Sequence, residues 1–497
     1  MVKTIKERKG EKDMKKFKKI FAVLMTLAMV LGMSMTTFAA NSVDIPVKDA
    51  AEGTSFKHLQ LIAPDTSAAT GWKFTTPEIA ANFKTALGVS DDQTAIWMLV
   101  KKTDATNTNI PATITEAASD DQVKNAITAV ANAGYALVEG KTVSDAGVYY
   151  IRADKAGYAY NPMAAYVSFG YTNGEVSSLT TEGVTVKGSE ISTTKTSDEA
   201  NKVTEIGRRE TYYVSSTIPF VPLGDDVRSY AVKDTITGAE YVVDNDNKVT
   251  LNVYYGKTVD EVKAGGLTPN ATFTAEVTDT TKDSKDAQTF TADLSSVLAA
   301  NTYANSPIVI TYQAIVTDVV VGNDVSIGKA DNDGNVDGSF GSNTENLYTA
   351  KITINKIDEK NPETKLAGAG FIISKTVDGN VQYATFDDNN KLSGWVTEES
   401  RAIEVFTAGE DGTLTVSGLD EGTYHITEKT APDGYSIRDG IEDVVLTVDG
   451  TATAEISATK TVEDTTLASL PGTGGIGTTI FTIGGCAIMI IAAALFF

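Results

Sequence analysis

Cysteine is almost absent from this sequence. Its 497 residues include one, Cys486, which lies in an apolar segment near the C-terminal end. A disulfide joins two cysteines, so the chain cannot form one within itself. Secreted domains commonly depend on disulfides for their stability. If this chain is exported, its domains must be stabilised in another way.

Histidine is also scarce, and acidic residues outnumber basic ones. The two histidines, His58 and His425, lie far apart, and the sequence has no Ser-His-Asp set, no HExxH pattern, no phosphate-binding loop and no Cys/His cluster. We therefore expect no enzyme activity, no cofactor and no bound metal. The net charge of −23 disfavours nucleic acids and anionic membranes as partners.

Long apolar runs occur near the two ends of the sequence. Residues 1–40 contain a dense basic segment, then the apolar run Ile20–Met33, then small residues up to Ala40. This order is typical of a cleavable secretory signal, which we predict over residues 1–40. The second run, Ile476–Phe497, contains no charge and is long enough to cross a bilayer as a helix.

A short motif precedes the second run: Leu470, Pro471, Gly472, Thr473 and Gly474. Proline and glycine favour an extended, accessible segment. The motif resembles the Leu-Pro-x-Thr-Gly sorting signal of Gram-positive cell-wall proteins, which a membrane sortase cuts between threonine and glycine. The resemblance implies a cut after Thr473 and attachment to peptidoglycan. The chain departs from the family in having no basic tail, and an ordinary single-span anchor is the alternative.

Between the two ends, most segments alternate apolar and polar residues and are separated by Asp, Asn and Gly turns. This pattern predicts a mainly β chain built from several distinct domains. The predicted boundaries are a signal over residues 1–40, a mixed α+β domain over 41–187, two β domains over 188–350 and 351–469, and a sorting signal over 470–497.

The first of these domains combines helical and strand patterns. Thr76–Leu87 and Ser119–Ala133 have amphipathic spacing and begin with residues that suit helix capping. Gly147–Arg152 and Ala164–Phe169 have the composition of strands. We therefore expect helices packed against a sheet in this domain.

In the segment Tyr230–Ile236, the two-residue period of a strand puts Asp234 on the same face as Tyr230 and Val232. A carboxyl group in such a place is protonated or paired. The pattern therefore predicts a buried carboxyl group rather than a free surface carboxylate.

The order of Lys195 on a first strand, a Tyr-x-x-x-x-Ile-Pro strand ending at Pro219, and Asp234 on an alternating strand resembles the second domain of sortase-assembled shaft pilins. The resemblance implies an amide bond between Lys195 and an asparagine on the last strand, assisted by Asp234. We assign this asparagine to Asn335, and Asn332 and Asn323 are the alternatives.

The last domain carries the most specific motif. The segment Tyr424–Tyr435 resembles the glutamate box of collagen-adhesin B-type pilin domains. The resemblance implies that Glu428 assists a bond between Lys356 and an asparagine on the terminal strand. No asparagine lies between residues 451 and 470, so we assign Asp464 as the electrophile, with loss of water. The alternative is an unbridged domain with a buried salt bridge, which adds little net stability.

The stretch Val184-Thr185-Val186-Lys187 resembles the pilin motif, in which a lysine after a valine-rich strand attacks the sortase acyl-enzyme. The resemblance implies that Lys187 is the polymerisation acceptor. A solvated linker lysine is the alternative.

Taken together, these resemblances predict tandem immunoglobulin-like or collagen-adhesin B-type β-sandwich domains. They imply a major shaft pilin at the surface of a Gram-positive bacterium, with a sortase, neighbouring pilin subunits and peptidoglycan as partners and a host surface ligand as a further partner. The alternative function is a monomeric wall-anchored adhesin that binds a host ligand through its N-terminal domain.

Overall fold

In the computed structural model, alternating apolar and polar residues form many more strands than helices, and the predicted mainly β fold is confirmed. The structure describes residues 42–103, 105–172, 175–225, 228–282, 285–331, 333–407 and 411–467, together with Met489. The predicted signal over residues 1–40 lies outside them.

No helix in these described ranges is long and apolar enough to cross a bilayer. The predicted membrane segment, Ile476–Phe497, lies outside the described residues except for Met489.

The chain divides into two compact units. The first comprises residues up to Asp198, Glu210–Ala314 and Gly322–Glu345, and the second comprises Glu199–Arg209, Ile315–Val321 and the residues from Asn346 onwards.

The N-terminal part of the first unit contains helices and strands, as the sequence predicts. Its helices are α1 (Pro77–Leu87), α2 (Asp92–Thr103) and α3 (Asp120–Asn132). Its strands are β1 (Val43–Asp44), β2 (Val47–Lys48), β3 (Ser55–Pro64), β4 (Trp72–Phe74), β5 (Val138–Glu139), β6 (Thr142–Val143), β7 (Gly147–Asp154), β8 (Tyr158–Tyr160), β9 (Met163–Thr172), β10 (Glu175–Thr180), β11 (Val184–Thr185) and β12 (Gly188–Glu190).

The central sheet of this part has the order β10-β9-β7-β3-β4, with β5 paired to β3. Strand β7 is buried on both faces, because alternate residues enter two different cores. Val148 and Tyr150 pack in the core that contains the helices. Tyr149 and Ile151 pack in a second core with residues of β1 and β11.

The predicted helices begin where the capping residues indicate. The Thr76 hydroxyl accepts a hydrogen bond from the Ile79 backbone N–H at 3.2 Å, and Pro77 is the first helical residue. Ser119 and Gln122 form a capping box before α3. These side chains satisfy backbone donors that no helical carbonyl can reach.

The rest of the first unit is a β-sandwich. Its strands are β13 (Thr194–Thr196), β14 (Arg209–Thr217), β15 (Ala231–Thr237), β16 (Ala239–Tyr241), β17 (Lys248–Tyr255), β18 (Ala271–Lys282), β19 (Lys285–Asp293), β20 (Pro307–Val316), β21 (Val320–Gly328) and β22 (Ser342–Tyr348), and it includes the short helix α4 (Val259–Lys263) and a 3-10 turn over Ser295–Leu298.

These strands pair in the order β13-β14-β20-β17-β18-β19-β15-β21-β22, with β16 on β20. Strand β18 belongs to both layers of the sandwich: its first half pairs with β17 and its second half with β19. Consequently β13 lies in one layer, while β15 and β21 are neighbours in the other.

The second unit contains a further sandwich. Its strands are β23 (Ala350–Asp358), β24 (Gly370–Val377), β25 (Asn380–Phe386), β26 (Leu392–Val396), β27 (Val405–Phe406), β28 (Thr413–Leu419), β29 (Gly422–Thr430), β30 (Val444–Leu446) and β31 (Ile456–Asp464), with a 3-10 turn over Glu399–Arg401.

Its two sheets have the orders β28-β23-β31 and β26-β25-β24-β29-β30, with β27 on β24. The first and last strands, β23 and β31, are parallel neighbours along nine residue pairs. The segment Glu199–Arg209 also belongs to this unit. Within it, Ile206 packs against the core of the sandwich, and Arg208 donates to Asp420 at 2.5 Å.

Candidate functional site

Lys195 is buried in the core of the first sandwich. The strand β13 pairs with β14, and the alternation of the strand turns Lys195 inward between two exposed threonines. Its Nζ donates to Asp234 Oδ2 at 2.5 Å and to Asn323 Oδ1 at 2.5 Å. These contacts bring a lysine amine, a carboxyl group and a primary amide together from three strands.

Asp234 occupies the face that the sequence predicts. It lies in β15 between the buried residues Val232 and Ile236 and is itself fully buried. Two phenols complete its hydrogen bonds: Tyr241 donates to Oδ1 and Tyr312 donates to Oδ2, each at 2.7 Å. The carboxyl group is therefore held in a fixed orientation toward Lys195.

The expected contact of Asn335 with Lys195 is not observed, and Asn323 lies against Lys195 instead. Asn335 is exposed, and its backbone N–H and side-chain amide donate to Asp331 in a turn at 2.8 and 3.0 Å. Asn323 lies in β21 and is fully buried, with its amide nitrogen donating to Tyr312 at 3.2 Å. The other alternative, Asn332, lies outside the described residues.

The surroundings of Lys195 favour its neutral form. Burial lowers the pKa of the Lys195 amine, and the carboxylate of Asp234 opposes that shift. Burial also raises the pKa values of Tyr241 and Tyr312 well above their ordinary range, so both phenols remain protonated donors. A neutral amine carries the lone pair that attack on a carbonyl requires.

A second buried lysine lies in the other sandwich. Lys356 of β23 donates to Glu428 Oε2 at 3.0 Å and also contacts Asp464 Oδ1. All three side chains are fully buried. Lys356 and Asp464 lie on the parallel strands β23 and β31, where Lys356 is opposite Val462, and Glu428 reaches them from β29 in the facing sheet.

The two carboxyl groups at this second site are not fully hydrogen-bonded. Burial raises the pKa of Glu428, while the backbone N–H of Arg438 and the lysine amine oppose the shift. Glu428 Oε1 lies 2.9 Å from Lys356 Nζ in an ion pair without good hydrogen-bond geometry, and Asp464 Oδ2 makes no hydrogen bond within the described part of the chain. Buried carboxyl oxygens without partners are uncommon, and a proton on one of these groups would reduce the cost of burying two acids beside one lysine.

Lys187 lies on the surface between β11 and β12, and its side chain is exposed. Strand β11 pairs in parallel with β2, and the Lys187 carbonyl accepts from the Asn161 backbone N–H at 2.8 Å. Val184 and Val186 pack against the second N-terminal core. The lysine is thus presented at the edge of a folded domain, on a segment held at both sides.

The predicted sorting motif, Leu470 to Gly474, lies outside the described residues. Within the residues that the structure does describe, no group of three or more His, Cys, Asp or Glu side chains could hold a metal ion.

Sequence reasoning did not identify the phenols of Tyr241 and Tyr312, and it ranked Asn323 below Asn335. The alternation of residues in β21 could have identified Asn323. Its residues Val321, Asn323 and Val325 share one buried face, which is the same pattern that identifies Asp234.

Residues 350–460 match the family of SpaA prealbumin-like fold domains. No curated protein matches the chain.

Among solved structures, the chain is similar to the group B streptococcus pilus 2b backbone protein at 22% identity, with 55% of this chain and 97% of that chain covered and a TM-score of 0.36. It is similar to the T6 backbone pilin of serotype M6 Streptococcus pyogenes at 15% identity, with 83% and 81% covered and a TM-score of 0.43. It is also similar to the major pilin SpaA of Corynebacterium diphtheriae at 12% identity, with 85% and 99% covered and a TM-score of 0.41.

Proposed function

We propose that this protein is the structural shaft subunit of a covalent surface pilus, which a class C sortase polymerises and which is finally joined to peptidoglycan. The observation that carries the proposal is the pair of buried lysines, each in contact with an electrophile and an assisting carboxyl group. The match of residues 350–460 to a prealbumin-like domain family supports it, and so does the resemblance of Leu470–Gly474 to a wall-sorting signal.

At the first site, the proposed reaction joins Lys195 to Asn323. The neutral Nζ attacks the Asn323 side-chain carbonyl carbon, the bond from that carbon to Nδ2 breaks, and the nitrogen leaves as ammonia. Asp234 lies 2.5 Å from the attacking nitrogen and can accept its proton. The product ties β13 of one layer to β21 of the other.

At the second site, the proposed reaction joins Lys356 to Asp464 and releases water. Attack requires a protonated Asp464, since a carboxylate is a poor electrophile. Glu428 lies 3.0 Å from the amine and can accept its proton and return one to the departing oxygen. The product ties the first strand of the domain to its last, so tension applied at the two ends of the domain loads a covalent bond.

Polymerisation would use the exposed Lys187. The sortase would cleave between Thr473 and Gly474 and hold the Thr473 carbonyl as a thioester. The Lys187 amine of the next subunit would attack that thioester, form an amide and release the enzyme. The position of Lys187 beside the packed strand β11 supports this role, because it holds the amine at an accessible edge.

Denaturing electrophoresis of cell-wall extracts tests the proposal. A shaft subunit gives a ladder of covalent multimers, whereas a monomeric wall-anchored adhesin gives one band. Thr473→Ala should remove both the ladder and the wall-attached monomer, because the cleaved bond is lost. Normal wall attachment of Thr473→Ala would overturn the sorting assignment, and a single wall-attached band from the unmodified chain would favour the adhesin.

A further inference from the structure

Tyr312 is the side chain that connects the assisting carboxyl group with the departing nitrogen at the first site. Its hydroxyl donates to Asp234 Oδ2 at 2.7 Å and accepts from Asn323 Nδ2 at 3.2 Å. Lys195 Nζ lies 2.5 Å from the same Oδ2 atom. The three contacts form a continuous path from the attacking amine, through the carboxyl group and the phenol, to the amide nitrogen.

The reaction needs such a path. As the lysine nitrogen bonds to the carbonyl carbon it must lose a proton, and the amide nitrogen must gain one, because NH2⁻ is too basic to leave. Asp234 faces the lysine side of the site through Oδ2, and the phenol oxygen of Tyr312 stands between this atom and Asn323 Nδ2. The side chains are fully buried or nearly so, and bulk water is not in contact with the transferred proton.

We infer that Tyr312 is a catalytic residue of the Lys195–Asn323 reaction, passing a proton from Asp234 to the departing amide nitrogen. This inference rests on the proposed cross-link. In the relay, Nζ gives a proton to Asp234, and the Tyr312 hydroxyl turns its proton from Asp234 to Nδ2, which gains a lone pair in the tetrahedral intermediate. The Tyr312 proton then moves to Nδ2 as Asp234 gives one to the Tyr312 oxygen. Ammonia leaves, and both Asp234 and Tyr312 regain their starting forms.

Tyr241 provides a matched comparison. It also donates to Asp234 at 2.7 Å, but to Oδ1, on the side of the carboxyl group away from the contact with Lys195. Its ring packs on Tyr312 and Phe290 in the same core. Tyr241→Phe and Tyr312→Phe therefore each remove one phenol hydrogen bond from Asp234, whereas only Tyr312→Phe removes the contact with the departing nitrogen.

The test follows bond formation in the full chain. Cell-free synthesis of the unmodified chain, Tyr312→Phe and Tyr241→Phe is quenched in acid at intervals. Mass spectrometry then measures the fraction of the Lys195–Asn323 peptide pair that has lost ammonia. We expect Tyr312→Phe to slow this loss by about 100-fold or more, as removal of a general acid does, and Tyr241→Phe to slow it by less than about tenfold.

Equal rates in Tyr312→Phe and the unmodified chain would overturn the relay, and so would equal slowing by both substitutions. An unmodified chain that never loses ammonia at this site would instead overturn the proposed cross-link. Folding of the first unit is checked by limited proteolysis of the same molecules, because the Lys356–Asp464 site lies in the other unit.

If Tyr312→Phe fails to fold, 3,5-difluorotyrosine at position 312 retains the ring and hydroxyl while making the phenol more acidic. The relay predicts a change in rate of about threefold or more for this replacement and a smaller change for the same replacement at position 241. Unchanged rates at both positions would overturn it.

Discussion

Asn323 and Asp464 occupy equivalent places against Lys195 and Lys356, and they differ in the group that must leave. An amide would release ammonia, about 17 Da, and a carboxylic acid would release water, about 18 Da, in buried acyl transfer to an amine. The side chain against each lysine therefore determines the mass that its domain should lose.

Asn323→Ala and Asn335→Ala form a pair of opposite predictions. Asn323→Ala should abolish the loss of about 17 Da, because Asn323 carries the side-chain amide that Lys195 Nζ contacts, whereas Asn335→Ala should retain it. Losing a link that closes a loop of 128 residues should lower the free energy of unfolding by about 4–5 kcal/mol, by analogy with a disulfide. Intact mass and denaturant unfolding measure both effects, and a retained mass loss in Asn323→Ala would contradict the assignment.

Glu428→Gln should abolish the loss of about 18 Da in the C-terminal domain and leave the first site unchanged, because a glutamine amide cannot accept and return a proton. Glu442→Gln is the control, since Glu442 is an exposed glutamate of the same unit that pairs with Lys460. Peptide mass spectrometry locates the change. Water loss that persists in Glu428→Gln would show that this carboxyl group does not assist the reaction.

Among the elements, strong periodicity predicted structure well. The helices over Thr76–Leu87 and Ser119–Ala133 are confirmed as α1 and α3 to within one residue at each end. Helix α2 was not predicted, because Ala95–Val100 is a continuous apolar run that is buried on all sides and shows no helical period. Two-residue strands such as β2 and β11 are too short to show an alternation of apolar and polar residues.

Periodicity also explains which residues of the two sites could be predicted from the sequence. Asp234 is predictable because a carboxyl group on an apolar strand face is visible in the alternation, whereas Glu428 is predicted from the resemblance of its segment to a known motif. Asn335 was chosen because the asparagine was expected on the last strand of the domain, but its segment forms a turn in which Asp331 binds its amide. The phenols of Tyr241 and Tyr312 could not be predicted, because tyrosines are common in cores and only the packing of the two layers brings these hydroxyls to Asp234.

Lys187→Arg tests the segment between β11 and β12. Arginine keeps the positive charge at this exposed edge but is effectively never deprotonated, so it cannot attack a thioester. We expect the multimer ladder to disappear while wall-attached monomer remains. Lys155→Arg, at a position in the same part of the chain before β8, should leave the ladder intact. A ladder that survives in Lys187→Arg would assign the acceptor role to another lysine.

At the scale of the whole molecule, each site lies within one compact unit: Lys195, Asp234 and Asn323 in the first, and Lys356, Glu428 and Asp464 in the second. Interactions without shared partners contribute additively to stability. The two links should therefore act independently.

Scanning calorimetry of the full chain tests this independence. For a link worth about 5 kcal/mol, Asn323→Ala should lower the melting temperature of one transition by about 8 °C and Glu428→Gln that of the other by about 15 °C, because the first unit is the larger. The double variant should show both shifts. A single transition that moves as a whole in every variant would contradict the independence of the two units.

The separation of Lys195 and Asn323 by 128 residues affects how the molecule refolds after denaturation. Bringing such distant strands together is the entropically costly part of folding a sandwich. Once the proposed link has formed, denaturation would no longer separate β13 from β21, so a chain that has folded once would begin its next folding with a contact across 128 residues already made. Faster refolding would then distinguish molecules that have already folded once from molecules that have never folded.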